Sequence, residues 1–129
     1  MRNIEFKSGN NETVRGVLYE PTTPRPHPAI IFAHGLLSTH DEFGDYPMKF
    51  CARGYLVLAI DFRGHGASDG LRGLISSARN VQDLRHALDF IRWLTEDRRV
   101  EWNTEYYALV ESRLRKKSRR EKDLFAGLR

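Results

Sequence analysis

The stretch Ala29-Ile30-Ile31-Phe32-Ala33-His34-Gly35-Leu36-Leu37-Ser38 decides the fold. An unbroken apolar run that stops at a glycine reads as a strand of a parallel sheet, buried on both faces. Pro26 and Pro28 lie just before it and mark its start. The His-Gly pair puts a turn at the carboxyl end of the strand, where open α/β sheets bind ligands. Tyr55–Ile60 (YLVLAI) repeats this logic, and Asp61-Phe62-Arg63-Gly64-His65-Gly66-Ala67-Ser68 follows it. Two such strands, each running into a loop with glycine and histidine, predict a parallel sheet with a site along one edge.

Outward from this centre the pattern stays regular. Residues 3–7 alternate, with Ile4 and Phe6 on one side, Ser8-Gly9-Asn10-Asn11 is a turn signal, and Thr13–Glu20 is strand-like. Together they predict an amino-terminal antiparallel hairpin. Pro21 to Pro28 contains four prolines and reads as a connecting loop. His40–Arg53 reads as a loop and then a helix, with Pro47 in its first turn, Gly54 as its stop, and Tyr46, Met48, Phe50 and Cys51 on its apolar side. Strand, helix, strand is a βαβ unit, which requires parallel pairing. Val81, Leu84, Leu88, Ile91 and Leu94 recur at helical spacing, with Ser76 or Ser77 as the cap.

Residues 1–95 and 96–129 differ in character. Residues 111–129 hold eight basic and three acidic side chains, whereas residues 1–110 hold 13 basic and 14 acidic ones. The net charge of +4 is therefore a property of the carboxy-terminal segment. That segment has two readings: Tyr106–Val110 as a third parallel strand, or 104–125 as one charged helix. The basic run Arg113–Arg120 favours a helix or disorder. It lacks aromatic interleaving, so no nucleic-acid partner is expected. Cys51 is the single cysteine and forms no internal disulfide. No run approaches the roughly 18 apolar residues of a membrane span, and the start has no apolar signal core, so a soluble cytoplasmic protein is expected. The His, Asp and Glu residues show no metal-ligand spacing, and RGHGASDGLRG does not follow the dinucleotide-binding pattern, so neither metal nor cofactor is expected.

HGLLS after the first strand and DFRGHGAS after the second resemble the amino-terminal portion of the α/β-hydrolase superfamily. The wording is closest to the monoglyceride-lipase-like and serine-aminopeptidase-like branch, and the resemblance covers about residues 3–95. It implies an α/β class, here a truncated α/β-hydrolase fold: the hairpin, then parallel strands with crossover helices. It also implies a serine hydrolase of esters or amides, of esterase, lipase or peptidase type, with a small-molecule substrate.

The same resemblance assigns roles. His34, Gly35 and Leu36 form an oxyanion loop in which the Leu36 N–H is the donor and His34 braces the turn. Asp61, Arg63, Gly64, His65, Gly66 and Ser68 form a structural loop, with Asp61 and Arg63 expected to pair. Gly66-Ala67-Ser68-Asp69-Gly70 spells G-x-S-x-G, but an elbow serine follows its strand directly, and a polar loop separates Ser68 from Ile60. Ser112 falls nearest the nucleophile position, with Val110 and Leu114 where the family has glycines. The family order Ser, acid, His is absent, because all five histidines (His27, His34, His40, His65 and His86) precede Ser112. This chain alone is therefore expected to lack catalytic competence and to self-associate along an incomplete sheet. The alternative reading is a non-catalytic assembly module.

Overall fold

A computed structural model describes residues 1–95 of the chain. The expectations placed on 96–129, including the Tyr106–Val110 strand and the Ser112 position, lie outside the described residues. Four strands form one mixed sheet: β1 (Arg2–Lys7), β2 (Thr13–Tyr19), β3 (Ala29–Ala33) and β4 (Leu56–Asp61), in the order β1-β2-β4-β3. Two helices cover it, α1 (Tyr46–Ala52) and α2 (Ser77–Leu94). The amino-terminal hairpin is antiparallel, with Glu5 opposite Arg15, and its turn is a short 3-10 segment at Gly9–Asn11.

The pairing at the centre is the expected one. β3 and β4 are parallel, with Ile31 opposite Leu58 and Ala33 opposite Ile60. The segment between them starts with a 3-10 turn at His40–Phe43, then α1 with Pro47 in its first turn. Arg53 caps α1, and Gly54 follows at φ +94°, a left-handed conformation that a side chain would strain.

Alternation along β3 assigns the helices to faces. Ile31 packs with the cluster of Val14, Leu18, Leu58, Ile60, Ala87 and Ile91, which includes α2. Its neighbour Phe32 points the opposite way and meets Phe43 and Phe50, at ring-centroid distances of 4.8 and 5.9 Å. The helices therefore lie on opposite faces, giving a three-layer α/β arrangement.

Two expectations about burial need correcting. β4 is buried along its whole length, but β3 is only half-buried at every position. β4 has neighbours on both sides, whereas β3 stands at the end of the strand order among the described residues. The core side of α2 is also rotated from the expected row. Asp83, Ala87 and Ile91 are its buried residues, supported by Leu84, Phe90 and Leu94, while Val81 and Leu88 stay half-exposed. Ala87 is small enough for close approach to the sheet, Asp83 has a charged partner there, and Phe90 stacks on Phe6 at 5.4 Å. Ser76 rather than Ser77 caps the helix, its hydroxyl accepting the Arg79 N–H.

Candidate functional site

The carboxyl ends of β3 and β4 lie side by side, and each runs into one of the two motif loops. In the β4 loop the side chains turn inward. Ser68 is 2% exposed, and its Oγ accepts the Arg15 N–H at 2.8 Å and donates to the Asp61 carbonyl at 2.6 Å. A serine with both functions engaged inside the fold is not an exposed elbow nucleophile, as its separation from Ile60 implied. Gly66 stands at φ +49°, and a Cβ there would collide with the Asp61 carboxylate.

The expected Asp61–Arg63 ion pair does not form. Residues two apart in extended chain share a side, but Arg63 lies beyond the strand end, and the loop carries the two apart. Arg63, 1% exposed at its side chain, runs toward α2. Its Nε donates to Asp83 Oδ1 at 2.7 Å, its N–H donates to Asp83 Oδ2 at 3.0 Å, and its Nη1 donates to the Gly9 carbonyl at 2.9 Å. Ser8 Oγ donates to the same Asp83 carboxylate at 2.6 Å. One buried pair thus ties the hairpin turn, the β4 loop and α2 together. A buried Asp and Arg are stable there because their remaining polar atoms also have partners.

Asp61 takes a different partner. Its Oδ1 accepts the His40 N–H at 2.7 Å and the His40 Nδ1–H at 2.9 Å, and its Oδ2 accepts the Ala67 N–H at 3.0 Å. Burial pushes this carboxyl up, but the two backbone amides and the His40 imidazole outweigh it and hold it below the usual carboxylate range. His40 Nε2 lies 3.3 Å from Asp41 Oδ1. Asp61 therefore joins the β4 loop to the β3 loop.

The β3 loop is built more sparsely. His34 is buried; its Nε2 accepts the Phe62 N–H at 3.0 Å, so its Nδ1–H donates to the Gly35 carbonyl at 2.8 Å. Its ring is engaged at both nitrogens and braces the turn. His65 is buried as well, its Nδ1–H directed at the Arg63 carbonyl at 3.2 Å. The Ser38 N–H reaches back to the Gly35 carbonyl at 3.4 Å, closing a four-residue turn with Leu36 and Leu37 at its tip. Leu36 is 71% exposed and Leu37 63%. Among the described residues the Leu36 N–H has no hydrogen-bond acceptor. The Gly35 N–H, by contrast, donates to Glu42 Oε2 at 2.7 Å.

A cavity of about 390 Å³ opens between the hairpin and the two loops, lined by residues that include Glu5, Arg15, His40, Asp61 and Ala67. Neither Leu36 nor Ser68 lines this cavity. The histidine lining this cavity is His40. Sequence reasoning missed His40, Glu42 and Asp83. Asp83 left a signal, because it shares the helical row of Ala87 and Ile91, and a carboxylate in an apolar row needs a buried partner. His40 and Glu42 left none, since their partners depend on how the two loops meet. Among the described residues no group of three His, Cys, Asp or Glu side chains is placed to hold a metal ion.

Comparison with known proteins supports the fold described above. Residues 24–102 match the family model described as serine aminopeptidase, S33. The chain is 32% identical over 108 residues to a quorum-quenching protein AidA of Acinetobacter baumannii, covering 80% of this chain and 35% of the relative. It is 35% identical over 72 residues to a monoacylglycerol lipase of Mycolicibacterium smegmatis, covering 54% of this chain and 26% of the relative. An α/β hydrolase, GrgF from Penicillium sp. sh18, superposes with a TM-score of 0.66 at 29% identity, covering 70% of this chain and 32% of that one. The chain thus spans about a third or less of the length of these relatives. The parallel β3–β4 pair, its two loops and the matched family model identify the chain as a member of the α/β-hydrolase superfamily, in its serine-aminopeptidase-like family.

Proposed function

We propose that this chain supplies the oxyanion loop of a serine hydrolase that cleaves small-molecule esters or amides by acyl transfer. The observation that carries the reading is the Gly35–Ser38 turn at the carboxyl end of a parallel strand, which leaves the Leu36 N–H without an acceptor among the described residues. A turn closed from its first carbonyl to its fourth amide leaves its two middle amides unbonded, here those of Leu36 and Leu37, and the family resemblance assigns the donor role to Leu36. Such a fixed backbone donor stabilises the charge on a tetrahedral intermediate. His34 holds the turn and takes no proton from substrate. On this reading the nucleophile, its acid and its base are missing from this chain, and Ser112 stands nearest the nucleophile position of this sequence.

Turnover of a p-nitrophenyl ester tests the reading, measured for the 129-residue chain and for any longer product of its coding region. The chain alone is expected to stay at background. In an active form, Leu36→Pro removes the donor at a turn position that proline fits, and kcat falls about 10²- to 10³-fold. Leu36→Ala keeps the N–H and loses far less. Equal losses in the two variants overturn the oxyanion role.

One observation favours a non-catalytic assembly role. β3 is half-buried throughout and ends the strand order among the described residues, and an open strand edge pairs readily with another chain. Light scattering after size exclusion is expected to give dimers or larger species of the 129-residue chain. A clean monomer contradicts this role.

A further inference from the structure

We propose that Glu42 is the positioning residue of the oxyanion turn: its carboxylate takes the Gly35 amide and so fixes which backbone N–H faces outward. The inference rests on the oxyanion reading of residues 34–36 given above.

Three successive amides, those of Gly35, Leu36 and Leu37, lie at this turn; the last two have no acceptor among the described residues, and only the first is taken by a side chain. Glu42 Oε2 occupies the first at 2.7 Å, a short hydrogen bond to a charged acceptor. The Gly35 carbonyl is held from the other side by His34 Nδ1–H at 2.8 Å and by the Ser38 N–H at 3.4 Å. Both peptide groups flanking the Gly35 Cα are therefore pinned, and a flip of either one breaks a hydrogen bond.

Glu42 is itself delivered from a fixed position. It sits in the His40–Phe43 turn, where the Asp41 N–H donates to Thr39 Oγ1 at 3.3 Å. On one side His40 is bound through both its N–H and its ring to Asp61. On the other side Phe43 packs on Phe32 of β3. The buried Asp61 carboxylate thus sets the segment that carries Glu42, and Glu42 sets the turn.

The turn needs such a hold. Leu37 stands at φ +54°, a left-handed conformation unfavourable for any residue with a Cβ. Released from Glu42, the turn relaxes by moving Leu37 out of that region, which swings the Leu36 amide. The carboxylate acts by accepting the Gly35 N–H and not by placing charge at the reacting centre, where a negative charge beside an oxyanion opposes the reaction. A neutral acceptor of the same shape must therefore substitute for it.

The test reads amide hydrogen exchange and chemical shifts of the ¹⁵N-labelled 129-residue chain. In the wild type, Gly35 is expected to be protected and Leu36 to exchange freely; a Gly35 that exchanges as fast as Leu36 overturns the proposal without any variant. Glu42→Ala is expected to speed Gly35 exchange about tenfold, as for loss of one charge-assisted hydrogen bond, and to shift the Leu36 amide. Glu42→Gln keeps an acceptor and retains most of the protection. If Gln behaves as Ala, or if Ala leaves both amides unchanged, Glu42 does not position the turn. These readouts need no hydrolysis, so they fail separately from the oxyanion role, which stands or falls with Leu36→Pro.

Discussion

The two loops that leave β3 and β4 share glycine and histidine but are built in opposite ways. The β4 loop, residues 62–68, is dense in motif letters, and its Arg63, His65 and Ser68 are all buried and bonded inside the fold. The β3 loop has fewer such letters, and it presents two exposed leucines and a backbone N–H without an acceptor among the described residues. The difference separates a motif that holds the molecule together from one that leaves side chains and backbone exposed at the surface. A string such as G-x-S-x-G at 66–70 carries no chemistry when its serine is consumed by Arg15 and Asp61.

The sharpest way to break the comparison is to attack the β4 loop at its anchor. Asp83→Ala leaves the buried Arg63 guanidinium without its carboxylate, and is expected to cost about 3–5 kcal/mol of unfolding free energy. Urea unfolding measures it. Replacing both partners, Arg63→Met with Asp83→Leu, is expected to recover much of the loss, because the unpaired charge is gone. A loss below about 1 kcal/mol for Asp83→Ala would mean that the pair is not the anchor.

The link between the loops gives a smaller, pH-dependent effect. Burial opposes ionisation of Asp61, but the His40 and Ala67 amides and the His40 ring win and hold its pKa below the ordinary 3.8. A carboxyl with a depressed folded pKa binds fewer protons folded than unfolded. Its contribution is present in full above the ordinary value and is lost as pH falls through the folded value. Asp69, held low by its hydrogen bond to Arg15, acts with the same sign but is only half-buried. Unfolding free energy is therefore expected to drop below about pH 4, and less steeply in Asp61→Asn. Parallel slopes for the two proteins would remove Asp61 from the link.

The sheet was legible in the sequence because its signals are local. The apolar runs of β3 and β4, Gly54 after α1 and Ser76 before α2 each state their structure within a few residues. The partners of charged groups were not legible. Arg63 meets Asp83 across 20 positions and Asp61 meets His40 across 21, and only the docking of α2 and of the 40–43 turn brings them together. Proximity in sequence suggested Asp61 with Arg63, and the loop geometry chose otherwise. The extent of β3 burial was hidden for a related reason. An apolar run records that a strand is suited to a sheet centre, not which neighbours the described residues give it.

The smallest expected effect sharpens the comparison from the β3 side. Leu37 holds φ +54°, where a residue with a Cβ pays roughly 1–2 kcal/mol relative to its ordinary conformations. Leu37→Gly removes that strain and gives up little burial, since the side chain is 63% exposed. Against this, glycine has more freedom to lose on folding, about 0.5–1 kcal/mol. The balance favours the variant by several tenths of a kcal/mol to about 1 kcal/mol. No comparable gain is available at Ser68 or Arg63, whose side chains are used by the fold. A strained residue retained on an exposed turn, where glycine is better for stability, points to a role for the turn's shape beyond holding the chain together. Chemical unfolding of Leu37→Gly decides the point. A destabilised variant would mean that the leucine side chain is itself a structural contact, and that the β3 loop, like the β4 loop, is built to hold the fold.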